Sequence, residues 1–285
     1  MSIAAEQTFG TIVVCGGGCY GGYYLRQLAR ARAAGALRVT RILVVDQNAA
    51  CRMAPLIGAI ARHDVTGMSQ YGWQQSSSTG IGASDAAAEP GYHALPVELL
   101  TETWDTFFAR WFADAIRLPG AAAADAVVPS PLMPNLLADW IASRLTAHRP
   151  TARTERIALS VTPVTPWART GVDLSHYASF ATWMCPINCI EPPRCPETRG
   201  PRDWTMPAAV QTAARAAEQA NAAYDVVALF RTTHRLFGVG MFDVSDAITA
   251  DAAIARAAAS THLRVLLASV SHCHGAMAEL VSTRG

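Results

Sequence analysis

Residues 185–196 read CPINCIEPPRCP, and hold three of the chain's seven cysteines. Cys185, Cys189 and Cys195 are separated by three and five residues, with proline after the first and the last. Zinc knuckles favour cysteine pairs two residues apart, so the match to zinc is imperfect. Iron–sulfur ligands often occur in short runs ending in Cys-Pro, as this one does. The prolines stiffen a non-helical segment and lower the entropy lost when thiolates converge. The spacing therefore predicts a metal or iron–sulfur site. Metal-free thiol redox chemistry and plain structural cysteines are the alternatives. A three-thiolate site needs a fourth ligand, and Cys273, flanked by His272 and His274 in SHCHG, is the first candidate. Cys19 and Cys51 stand behind it, while Cys15 and Cys51 also read as small buried side chains.

Next to the cysteines, Arg199 and Arg202 are placed to clamp a carboxylate or phosphate, or to form a solvated turn. His234, between two predicted strands, is a candidate general acid or base, or an exposed turn residue.

A second constellation lies near the start. Gly16, Gly18 and Gly21 follow the β-branched run TIVVC and open a helical stretch in which Leu25 and Leu28 face inward. Asp46 closes the next apolar run, RILVVD, 25 residues after Gly21. In such a turn the first glycine makes the bend, the second lets a pyrophosphate approach, and the third lets helix pack on strand. On these residues the chain resembles the Rossmann dinucleotide-binding superfamily over roughly residues 9–150. That resemblance implies an NAD(P) or FAD site at Gly16, Gly18, Gly21 and Asp46. An acidic residue there favours NAD, because it would repel a 2′-phosphate. The bulk of Cys19 and Tyr20 and the longer distance to Asp46 depart from the usual pattern. A fold without a dinucleotide, or one that holds S-adenosylmethionine, is the competing reading.

The elements that must position these residues predict an α/β fold. A Rossmann-like parallel sheet is expected over 1–150, followed over 151–285 by an α/β domain, mixed or antiparallel, carrying the cysteine-rich loop. Residues 67–91, rich in Ser, Gly and Ala, read as a long loop. The aromatic residues from Trp104 to Phe112 read as the inward face of a helix. A strand, a proline-rich turn and a helix are expected over 124–145. Further strands are expected from residue 156 and over the runs DVVALFRTT, LFGVGMFDV and HLRVLLASV. The second and third of these, with only His234 and Arg235 between them, predict a hairpin. Helices are expected from Pro207 and from Ser245 or Asp246 as N-cap.

Composition excludes some chemistry. All 23 basic residues are arginine and none is lysine. A lysine Schiff base and a P-loop lysine are therefore ruled out. A net charge of +1 gives no broad electrostatic case for nucleic acid or an anionic membrane. No apolar run is long enough to span a bilayer and no signal peptide is visible, so a cytoplasmic protein is expected. An odd number of cysteines in that compartment favours metal binding or free thiols over disulfides.

Together these readings predict an oxidoreductase-type enzyme coupling NAD to a thiolate-ligated metal or iron–sulfur site. A small-molecule substrate is expected, and a redox partner protein and self-association are compatible with it. The rivals are a nucleotide- or metal-sensing binding module with a structural zinc, and an S-adenosylmethionine-dependent methyltransferase.

Overall fold

A computed structural model describes residues 6–62, 91–130, 136–185 and 189–284. The expected loop at 67–91 lies outside the described residues, apart from its last position. The elements run β1 (Gln7–Cys15), α1 (Cys19–Ala33), β2 (Leu37–Asp46), α2 (Ala54–Ala61), β3 (Val97–Thr101), α3 (Trp104–Arg117), β4 (Ala126–Val128) and α4 (Leu136–His148). They continue with β5 (Arg153–Ile157), β6 (Trp167–Thr170), β7 (His176–Ser179), α5 (Met206–Gln219), β8 (Val226–Arg231) and β9 (Thr233–His234). The last are β10 (Gly240–Asp243), α6 (Val244–Ala257), β11 (His262–Val270) and β12 (His274–Thr283).

The fold is α/β with two mixed sheets. The first has the order β3-β2-β1-β4-β10-β9. Its β3, β2, β1 and β4 run parallel, side by side in that order. Antiparallel β10 and β9, from beyond residue 150, complete it. The second sheet has the order β6-β7-β12-β11-β8, with β5 also beside β12. In it β8 and β11 are parallel and the remaining pairs antiparallel.

Period-two alternation sets the layers. On β1, Ile12 and Val14 join an apolar cluster with Leu25 and Leu28 of α1 and Leu56 of α2. Val13 and Cys15 point the other way, into a cluster with Phe107, Phe108 and Phe112 of α3, Ile141 of α4 and Ile254 of α6. The same cluster takes Val226, Ala228 and Phe230 of β8 and Val265 and Leu267 of β11. α3, α4 and α6 are thus sandwiched between the sheets. The far face of the second sheet carries Leu266, Ala268 and Met277 against Met206 and Val210 of α5. The aromatic face read into α3 is this central core.

The hairpin expected between the two runs flanking His234 and Arg235 does not form. β8 pairs in parallel with β11, and the chain then crosses from the second sheet to the first. His234 and Arg235 lack the glycine or asparagine that a two-residue hairpin turn requires. The reversal comes later, at Phe237 and Gly238, both with positive φ (48° and 84°). Only Thr233 and His234 pair back, with Met241 and Gly240. The N-cap of α6 is Asp243, earlier than expected, and its carboxylate is clamped by both terminal nitrogens of Arg235 at 2.7 Å.

Candidate functional site

The glycine turn is built as the spacing predicts. Gly16 has φ of 96°, and its N–H donates to Val45 O at 2.8 Å. A side chain at Gly21 would collide with the Gly16 carbonyl, so only glycine lets α1 start so close to β1. Space above Gly18 is open, with no atom within 4 Å of where a Cβ would stand. The first turn of α1 carries no acidic residue, and no side chain caps it. Asp46 is partly engaged: one carboxylate oxygen accepts from Gly17 N–H at 2.7 Å and the other from Asn48 N–H at 2.9 Å. Each oxygen retains a lone pair for a ribose hydroxyl. These features fit a pyrophosphate over the helix N-terminus.

The cysteine loop is held by a different logic. Cys195 N–H donates to Gly200 O and Arg199 N–H to Cys195 O, closing a tight turn. Inside it the Thr198 N–H lowers the pKa of the Cys195 thiol against the effect of burial, helped by the Thr198 hydroxyl, the Glu197 N–H and Arg202. A turn that aims N–H groups at sulfur favours the thiolate. Cys185 titrates high, first through burial and then through its neighbours Cys189, Cys273 and Cys195. Burial likewise raises Cys273, partly offset by Trp204. The four cysteines expected at the site therefore share one neighbourhood, drawn from two distant segments.

Arg202 is the charge in their midst. One terminal nitrogen donates to Pro192 O, and Nη2 lies 3.7 Å from Cys189 Sγ. Burial opposes its charge, but Cys273, Cys189 and Cys195 restore it and raise its pKa. Arg202 Nε and His272 Nε2 are buried without a hydrogen-bond partner. Orphaned buried donors beside four thiols are what a thiolate centre would satisfy. Among the described residues, no three His, Cys, Asp or Glu side chains stand at ion-holding distances. The donor set fits a soft metal in its chemistry, with the sulfurs gathered but not drawn into a shell.

A cavity of about 550 Å³ opens beside the thiols, with Cys185, Cys189 and Cys273 in its wall. Ser130, Thr232 and Ser271, which follow β4, β8 and β11, also line it. These are carboxyl ends of parallel strands, where α/β sheets place their ligands. Tyr20 and Tyr24 of α1 close the side nearest the glycine turn.

Sequence reasoning missed Glu191, the residue that organises this wall. It has φ of 50°, and its side chain is only 9% exposed. Its carboxylate caps the tip of the β11–β12 hairpin. Ser271 Oγ–H donates at 2.7 Å, His272 N–H at 3.0 Å and Cys273 N–H at 3.1 Å. His234 Nδ1 lies 3.3 Å away. Burial would raise the Glu191 carboxyl; His234, Ser271 and His272 together outweigh it and bring the pKa down to about 2. The one signal in the sequence was an acidic residue inside a proline-rich, non-helical run of cysteines.

The other expected residues sort as follows. His234 is in the wall, on β9 rather than in a tight turn. His274 is also in the wall, with Nδ1 2.9 Å from Ser179 Oγ. Arg202 touches Cys189 rather than pairing with Arg199. Arg199 is exposed, with φ of 55°, and stands outside the cavity wall. Gly16, Gly18, Gly21 and Asp46 form a separate cradle, and none of them lines the cavity. Cys15 and Cys51 are buried as expected, and burial pushes the Cys15 thiol up to about 12.

A family model, AF_1314_C, described as an uncharacterized protein's C-terminal domain, matches residues 137–282. The chain belongs to that family. No curated protein and no solved structure matches the chain. The matched span of the AF_1314_C family holds the whole second sheet, the crossing through β9 and β10, and the four gathered cysteines, with Glu191, Arg202 and His234. Tyr20, Tyr24, Pro129 and Ser130 are the wall residues supplied from outside it. Among the described residues no helix is long and apolar enough to cross a membrane.

Proposed function

We propose that the chain is an oxidoreductase-type enzyme whose working centre is a metal ion or iron–sulfur cluster held by Cys185, Cys189, Cys195 and Cys273. The observation that carries this is the gathering of four thiols around orphaned buried donors, three of them in the wall of a sizeable cavity. When bound, such a centre supplies one-electron transfer if it is an iron–sulfur cluster, or polarisation of a substrate if it is zinc.

The chain's own residues do the rest. The Cys195 turn stabilises thiolate, Arg202 balances charge, and Glu191 orients the His234 ring for proton transfer at the cavity. NAD at Gly16, Gly18, Gly21 and Asp46 belongs to the same proposal. Its support is the open space above Gly18 and the uncapped start of α1, whose first turn carries Tyr20 of the cavity wall.

Arg202 within reach of Cys189 favours a second reading, in which the thiols work without metal as a redox set. Anaerobic purification with metal analysis and an absorption spectrum separates the two. Bound metal is expected in the wild type, and Ser at any of the four positions should lower it while Cys51→Ser retains it. Metal content unchanged in all four variants would leave only the thiol reading.

A further inference from the structure

The register of the second sheet decides what the cavity presents to a ligand. Trp167 pairs with Ser179, and Ser179 with His274, in one cross-strand row. Two positions along, Tyr177 pairs with Ala276, and Ala276 with Ser269. Residues two apart on a strand share a face. These side chains therefore stand on the same face, and all line the cavity. On α1, Tyr20 and Tyr24 are four apart and share one side of the helix. Both line the same cavity, from a helix packed on the first sheet. Four aromatic rings from two separate layers thus surround one space, with Trp167, 45% exposed, at its mouth.

The charge of this wall is one-sided. Among the described residues it contains no arginine, and its one carboxylate is Glu191. The nearby guanidinium, Arg202, is turned to the thiols and the Pro192 carbonyl instead. Burial, followed by the neighbouring Tyr20 and Tyr23, pushes the Tyr24 phenol up to about 12, so its ring stays neutral. A phosphate or carboxylate would find no fixed positive charge here. A cation would find ring faces and a buried carboxylate, the two groups that attract it after it sheds water.

We infer that the cavity binds a small organic cation of the tertiary or quaternary ammonium class, seated between Tyr20 and Tyr24 on one side and Trp167 and Tyr177 on the other. The inference concerns the aromatic wall and stands whether or not the thiols hold a metal.

The test is calorimetric titration of the purified full chain with choline and with its neutral isostere, in which carbon replaces the ammonium nitrogen. Choline should bind about tenfold more tightly than the isostere, the ratio expected of desolvated cation–π contacts. Trp167→Ala and Tyr177→Ala should each weaken choline about tenfold, while Tyr24→Phe, which keeps the ring, should bind as the wild type does. Circular dichroism of each variant checks that the fold is retained. Equal binding of the isostere, or no binding of choline to the wild type, overturns the inference. Metal content measured on the same samples reports on the thiol centre separately, so either idea can fail alone.

Discussion

The glycine turn after β1 and the proline-rich loop before α5 are held in shape by different parts of the chain. The turn is tied to its own sheet. Gly16 N–H reaches Val45 O, Gly17 N–H reaches Asp46, and Met53 N–H reaches Gly17 O, all within the first two strands and the start of α2. The loop has local ties too, the Cys195 turn and Arg202, whose N–H donates to Pro193 O and whose side chain donates to Pro192 O. Its distant tie is Glu191, bound to a hairpin tip about eighty residues downstream. A site built on adjacent strands survives local damage. A site assembled across the chain depends on a few ties, and the loss of one should scatter its members.

The largest effect is therefore expected at Glu191. Glu191→Ala strands the Ser271 hydroxyl and two backbone N–H groups, and should cost about 3 kcal/mol of stability in chemical denaturation. It should also disperse the thiols, read as loss of bound metal. The pH dependence has a definite sign. The folded pKa is depressed from 4.5 to about 2, so the stabilisation is full above 4.5 and is lost as pH falls toward 2. The wild type should lose about 3 kcal/mol across that window, and Glu191→Ala should lose less. Identical acid profiles for the two proteins would remove Glu191 from the centre of the site.

At the turn, two glycines three residues apart should answer oppositely. Gly21→Ala drives a methyl group into the Gly16 carbonyl and should destabilise by about 2–3 kcal/mol. Gly18→Val enters open space at φ of −83°, so the melting temperature should barely move. If the pyrophosphate reading holds, the same Gly18→Val should abolish NAD binding in calorimetry. Unimpaired NAD binding in that variant, or none in the wild type, would leave the turn as scaffold only.

The smallest effect sharpens the contrast within the loop itself. Arg199 is exposed and strained in the left-handed region, whereas Arg202 faces the thiols. Arg199→Gly should be stabilising by about 1 kcal/mol through relief of that strain, with metal content unchanged. A loss of metal in this variant would instead tie Arg199 to the thiol centre.

The α/β class, the glycine turn, the aromatic face of α3 and the burial of Leu25 and Leu28 were legible in the sequence. Each rests on local periodicity or on a backbone conformation that few residues allow. The helix from Pro207 was legible for the same reason, and Thr205 caps it by accepting from Ala208 N–H at 3.1 Å. The partner of β8 was not legible. A half-buried strand advertises one apolar face, and any neighbour that covers the face satisfies it; β11 does so from some forty residues away. The strand expected from residue 156 begins at Arg153 instead, and by Ser160 the chain has turned to donate its N–H and hydroxyl to Glu279.

By itself, then, the sequence determined which residues had chemistry to offer and which short segments would be strand, turn or helix, because those follow from side-chain type and spacing. It determined that the cysteines were concentrated and that Gly16, Gly18 and Gly21 would bend the chain after β1. Only the tertiary structure decided that Cys273 stands with Cys185, Cys189 and Cys195, that Glu191 rather than an arginine organises the wall, and that Tyr20 and Trp167 face one cavity. Those are contacts between segments far apart in the chain. They depend on how the sheets stack around α3, α4 and α6, which no single window of residues encodes.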